Sequence, residues 1–167
     1  MLLALVTPAL AGLLVNELVY DPSGADDGLE WVELCNDGST TIDLTGYQIE
    51  SAGTSWTESY TFASGSLAPG AYLIVGSGSA SHAGRFSPNL PNGGDAVDGL
   101  RVKDASGTVV DTVLYDDTNT SSLTEDDGTV PTAGAPSATS GKSIGRFPDC
   151  RDTNASATDF VLYTTAK

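Results

Sequence analysis

The chain has 167 residues and a mass of 17.1 kDa, enough to bury one good core and too little for two ordinary domains. Seven Lys and Arg stand against 22 Asp and Glu, giving a formal charge of −15 that repels a phosphate backbone, so no nucleic acid partner is expected. With 19 Gly and many Ser and Thr interrupting every apolar run, long helices are excluded and an all-β chain with many turns is expected.

In chain order, the opening MLLALVTPALAG carries no charged side chain and closes on Ala9-Leu10-Ala11, the small-x-small pattern of a signal-peptidase site. Residues 1–11 therefore read as the remnant of a secretory signal, with 12–167 as a single domain. The same stretch also suits an apolar lead into a first strand. It is too short to cross a bilayer, and no other apolar run approaches the ~20 residues a spanning helix needs. No transmembrane segment is expected, and the localisation expected is secreted or cell-surface.

Short apolar stretches of strand length then recur at 13–20, 29–36, 42–50, 55–62, 72–76, 97–102, 109–115, 143–147 and 160–163. Between them DPSGADDG, NDGST, APG, PNGGD and DASG supply the Gly, Pro, Asn and Asp that reversals require. The stretch 123–140 has no period and is rich in Pro, Gly, Ala and Thr, which predicts an exposed loop. About nine short strands with apolar residues at both parities favour a two-sheet β-sandwich, whose inner faces bury each other.

Quoted in order, VNELVYDPSG, GLEWVELCNDGSTTIDLTGYQI, YTFASGSLAPGAYLIV, LPNGGDAVDGLRVKDASGTVVDTVLYDD and GKSIGRFPDCRDTNASATDFV resemble the lamin tail domain as it occurs in bacterial secreted proteins, over about residues 14–162. Asn16-Glu17, Glu30-Trp31-Val32-Glu33-Leu34 with Asn36, Asp43-Leu44-x-Gly46, Pro69-Gly70, Asn92-Gly93-Gly94-Asp95 and Gly145-Arg146 carry the likeness. The resemblance implies an immunoglobulin-like β-sandwich without enzymatic activity of its own. Filament and nuclear roles known from animal members do not transfer, because the heptad rod that goes with them is not in this sequence. What is implied instead is a secreted structural or adhesive module that binds a protein or polysaccharide, or an accessory module of an extracellular hydrolase or nuclease system.

Few residues offer chemistry. In an oxidising compartment the two cysteines, Cys35 and Cys150, most simply pair with each other; a reactive thiol would need a base or helix terminus that the sequence does not suggest. Glu30 and Glu33 lie an odd number of positions apart, so in a strand they face opposite ways and make no acid/base couple. Glu33, near a turn, suits either a hold on a backbone N–H or an ion pair with Arg146. GKSIG matches the G-x-S-x-G nucleophile pattern, but Pro148 blocks the helix that such an elbow needs, which makes Ser143 a strand residue. The one histidine, His82, lies in a serine-rich loop and is assigned no role. Hence no catalytic residue is expected.

The metal candidate is DCRDTNASATDF, where Asp152, Asn154 and Ser156 place oxygens at alternate positions and Asp159 follows, a spacing suited to Ca²⁺. Asx turns linking two strands would explain the same residues. Asp21, Asp26 and Asp27 form a weaker acidic loop. Trp31, Trp56 and the six tyrosines would make a sugar platform if several faced outward together, although sandwich cores also use aromatics. Asn119-Thr120-Ser121 and Asn154-Ala155-Ser156 are N-x-S sequons.

Overall fold

A computed structural model of the chain describes residues 12–165 except 25, 27, 77–81, 84–85 and 94–95, and at 82–83 the backbone alone. The stretch 1–11, read above as a signal remnant, Asp27, Gly94-Asp95 and the His82 side chain lie outside the described residues.

Twelve strands are described, in chain order β1 (Leu13–Val19), β2 (Trp31–Asn36), β3 (Ile42–Asp43), β4 (Gln48–Ala52), β5 (Trp56–Thr61), β6 (Ser66–Leu67), β7 (Tyr72–Gly76), β8 (His82–Ala83), β9 (Asp98–Lys103), β10 (Val109–Tyr115), β11 (Ser143–Arg146) and β12 (Phe160–Tyr163), with one helical turn, α1 (Ser156–Asp159). A six-stranded sheet runs β12-β11-β1-β2-β7-β8, a four-stranded sheet runs β10-β9-β4-β5, and β3-β6 form a small third ladder. Every pairing is antiparallel except β7 with β8.

The two large sheets pack face to face. Val15, Leu18, Val32, Leu34 and Val75 from the first meet Ile49, Leu100, Val102 and Val113 from the second in one buried cluster. This is the immunoglobulin-like β-sandwich expected from the sequence, and the alternation of apolar residues explains it: each second side chain enters the core.

Two places depart from the expected elements. The stretch 42–50 is not one strand, because Leu44 to Tyr47 turns: Tyr47 N–H donates to the Leu44 carbonyl at 2.9 Å and Gly46 takes φ +81°, a conformation that favours glycine. The stretch 123–140 is not simply an exposed loop, since Leu123, Glu125, Ala135 and Ala138 are buried. It runs beside β10, with bridges from Tyr115 to Ala135 and from Thr118 to Ala133, and so covers that sheet edge.

Of three bulges among the described strands, one leaving Ser59 unpaired on β5, two set what faces inward between the sheets. On β1, Val15 pairs with Leu34 and Glu17 with Glu33, leaving Asn16 as the extra residue. On β10, Val109 pairs with Lys103 and Asp111 with Val102, leaving Val110 as the extra residue. Both bulges lie where β1 packs against β10.

Cys35, at the end of β2, is bonded to Cys150 in the segment after β11, closing a span of 115 residues. Asn16 adds a second tie to that segment by accepting the Cys150 N–H at 2.8 Å. Because the bond restricts the unfolded chain over so long a span, replacing both residues (Cys35→Ser with Cys150→Ser) is expected to lower stability by about 2–5 kcal/mol. Urea unfolding of the two proteins under non-reducing conditions measures the difference, and a loss well below 1 kcal/mol would contradict this account.

Candidate functional site

Arg146 is a charged group buried in the sandwich interior, with 1% of its surface exposed. Its position on β11 turns it toward the core, between the sheets. Nη2 lies 2.8 Å from Asp111 Oδ1, and Nη1 lies 3.0 Å from Asp152 Oδ1 and 3.1 Å from Asp159 Oδ2. The two remaining bonds go to backbone, Nε to the Val15 carbonyl at 2.8 Å and Nη1 to the Arg151 carbonyl at 3.0 Å. The Phe160 ring covers the guanidinium at 4.8 Å. Asp111 completes the link by accepting the Val15 N–H at 2.6 Å.

The local charge is lopsided. Burial alone would lower the Arg146 pKa, but Asp111 and Asp152 hold it above its ordinary value. Complete burial pushes Asp111 up to about 7 against the pull of Arg146. Asp126 is pushed up to about 6 by burial and by the negative neighbours Asp152, Glu125 and Asp127. Carboxylate oxygens of Asp111, Asp126 and Asp152 lie within 4.8 Å of one another.

The structure brings together only part of the four residues singled out for a cation. Asp152 and Asn154 belong to this cluster. In the amide orientation that the surrounding acceptors require, Asn154 donates to Asp126 at 2.7 Å and to Asp152 at 3.2 Å. Ser156 points elsewhere: its hydroxyl donates to Glu125 at 2.8 Å and accepts the Leu114 N–H at 3.0 Å. Asp159 is occupied by Arg146, by the Thr153 N–H at 2.8 Å and by the Thr153 hydroxyl at 2.7 Å. Asp111 and Asp126 escaped the sequence reading because they come from distant segments. No local spacing joins them to Asp152.

Beside the cluster a cleft of about 330 Å³ opens between the starts of β1, β3 and β10. Leu13, Ile42, Tyr47, Val109 and Val110 give it an apolar wall, and Asp104, Asp126 and Asp152 give it acidic groups. Burial, with Asp104 and Asp43 nearby, raises the Tyr47 pKa.

The outward aromatics do not share one platform. Trp31 lies on the outer face of the six-stranded sheet, in the same row as Val19 and Gly76, with Ile74 and Tyr72 in the following rows of that face. Trp56 lies on the outer face of the other sheet, stacked against Arg101 at 4.3 Å. Tyr20 and Tyr115 stack on each other in the core at 4.3 Å. The first of these faces is the more apolar, with Tyr72 48% and Ile74 36% exposed.

The other candidates serve packing. Ser143 is a β11 strand residue, as its context predicts, and its buried hydroxyl donates to Glu17 at 2.6 Å. Glu30 and Glu33 do face opposite sides: Glu30 is buried and accepts the Leu90 N–H at 3.1 Å, while Glu33 lies on the outer face and accepts from Asn16 at 2.8 Å. The expected Glu33–Arg146 pair is therefore corrected, since strand alternation puts the two on opposite faces of the sheet. Asp26 accepts from Asn92 at 3.0 Å, and burial raises the Asp21 pKa, with Asp26 adding to the effect. Asn119 donates to the Leu123 and Pro131 carbonyls at 2.7 and 3.0 Å, so the first sequon amide already holds a loop together.

A family profile described as Lamin Tail Domain matches residues 7–117. The match takes in β1 to β10, and Arg146 and Cys150 lie beyond it. No curated protein matches the chain significantly.

At the other end of β9, burial and the neighbouring Asp116 push Asp98 up to about 7, with the Gly93 N–H at 3.2 Å working against them. Because the folded value lies above the unfolded one, folding carries no ionisation penalty below about pH 4, and stability falls as pH rises through 7. Asp98→Asn, which cannot ionise, is expected to match the wild type near pH 4 and to exceed it by roughly 1–3 kcal/mol at pH 8, allowing for solvent screening. Denaturant unfolding across that range tests it, and a variant less stable than wild type at pH 8 would refute it.

Proposed function

The chain belongs to the lamin tail domain family, and from that premise we propose that it is a non-enzymatic binding module, secreted or held at the cell surface, that attaches to a protein or polysaccharide. The observation that carries this reading is the outer face of the six-stranded sheet, where Tyr72 and Ile74 expose apolar surface beside Trp31. A face of that kind on a soluble sandwich is suited to a partner, because exposed aromatic surface returns free energy only when covered. The disulfide and the absence of any described helix long and apolar enough to cross a membrane are compatible with an extracellular setting. The groups that could have formed a reaction centre support a non-catalytic role in the same way: Ser143 is buried against Glu17.

Replacing Tyr72 and Ile74 together by Ala is expected to lower retention of the purified protein on intact cells and on insoluble polysaccharides at least tenfold, with the melting temperature unchanged. Sedimentation binding assays read the difference. Equal retention of wild type and variant would remove this face from the reading.

A second reading, Ca²⁺ binding at an acidic loop, is favoured by the convergence of Asp111, Asp126 and Asp152 within 4.8 Å. Hard oxygen ligands of this type suit Ca²⁺, and extracellular sites work at millimolar concentration. The melting temperature is then expected to rise in a few millimolar Ca²⁺ in the wild type and to stay constant in Asp126→Asn. No rise at about 10 mM counts against the ion.

A further inference from the structure

We propose that signal peptidase removes residues 1–11 and that the α-ammonium left on Gly12 is held by Asp37 as a fixed part of the fold. The proposal rests on the export half of the reading above, and it adds a processing site and a structural role for the new terminus. The reaction is a hydrolysis. Water adds across the Ala11–Gly12 amide and the C–N bond breaks; Ala11 keeps the carboxylate, and the Gly12 amine takes up a proton. Ala9 and Ala11 are the small side chains that the peptidase accepts on the leader side of the bond.

The fold meets this sequence signal at the same bond, from the Gly12 side. The cut falls ahead of β1, so no described strand is lost by it. Leu13 pairs with Asn36, and Gly12 and Asp37 form the next rung of the β1–β2 ladder. There the Asp37 N–H donates to the Gly12 carbonyl at 3.1 Å, as an antiparallel rung requires. The return bond is different. Gly12 N–H donates at 2.5 Å to the Asp37 carboxylate, where a regular rung uses the backbone carbonyl. A neutral amide is served by either acceptor, whereas an ammonium on the same nitrogen gains a charge-assisted bond from the carboxylate and brings two further donors. The surroundings favour the cation as well. Asp104, Asp126 and Asp152 line the cleft that Gly12 borders, and among the described residues no Lys or Arg lines it. Processing therefore puts a positive charge at a negative corner of a chain whose formal charge is −15.

The test begins with the full-length chain, incubated in detergent micelles with purified signal peptidase. Intact mass and N-terminal sequencing read the product, and a single cut that leaves Gly12 first is expected. The product is then acetylated selectively at its α-amine, which removes the charge and keeps one N–H donor. Melting is followed at low salt and about pH 6.5, where an α-amine is charged. Acetylation is expected to lower the melting temperature by about 1–3 °C, the scale of a surface ion pair in a chain of this length. The same treatment of Asp37→Asn is expected to change nothing, because Asn keeps an acceptor for the N–H and lacks the charge. The proposal is overturned by no cut, by a cut at another bond, by an unchanged melting temperature on acetylating the wild type, or by an equal loss in Asp37→Asn. Retention through Tyr72 and Ile74 is measured independently, so failure of the outer-face reading and failure of this one are seen separately.

Discussion

The sandwich is organised around one place where both sheets give up regular pairing. Asn16 is the extra residue on β1 and Val110 the extra residue on β10, and next to these bulges the backbone N–H and carbonyl of Val15 are met by side chains. Its N–H is taken by Asp111 from the four-stranded sheet and its carbonyl by Arg146 from the six-stranded one, while the two side chains bond each other at 2.8 Å. A backbone group that lost its partner inside the core would cost as much as a missing hydrogen bond, so the bulge is tolerable only with both side chains present. Each bulge also shifts the side-chain parity by one. That shift lets Val15 and Leu18 share the core face despite their odd separation.

A buried ion pair of this kind adds little net stability compared with an apolar substitute, because removing two charges from water opposes their attraction. Its effect here is on arrangement. The guanidinium has donors fixed in a plane, and they reach β1, β10, the 151–152 segment and the end of α1, so the relative placement of four segments is dictated by one side chain. The disulfide reinforces the same corner from outside, joining β2 to the segment that the arginine holds from within. Outer surfaces of such a frame keep a fixed shape, which lowers the ordering cost of binding.

How much of this was legible in the sequence follows from distance along the chain. Short apolar stretches bounded by turn residues marked β1, β2, β4, β5, β7, β9, β10, β11 and β12, because a strand that packs against the core needs such a run. Two-residue ladders such as β3 and β6 carry too little alternation to be seen, and α1 lies in a polar stretch where a single turn leaves no period. Asn16-Glu17 between apolar runs was the visible trace of the bulge: two consecutive polar residues in a strand otherwise buried at every position. The partners of Arg146 were not legible, because Asp111 comes from β10 and Asp159 from α1 and only the folded topology makes them neighbours. The Glu125–Ser156 link was hidden for the same reason, and with it the packing of the 118–140 segment against β10.

The distribution of polar groups separates what holds this fold from what is available to others. Inside, the side chains with chemical potential are matched in pairs: Ser143 with Glu17, Ser156 with Glu125, Ser51 with Ser59 at 2.7 Å, and Tyr20 with Asp116 at 3.0 Å. A hydroxyl that already donates to a buried carboxylate and lies out of reach of water has neither the freedom nor the access that a nucleophile needs. The groups that remain accessible are of another kind, apolar rings and chains on one sheet face. Under the binding role proposed for this chain, affinity would come from covering such surface, and surface residues of that kind can vary without disturbing the clamp between the sheets.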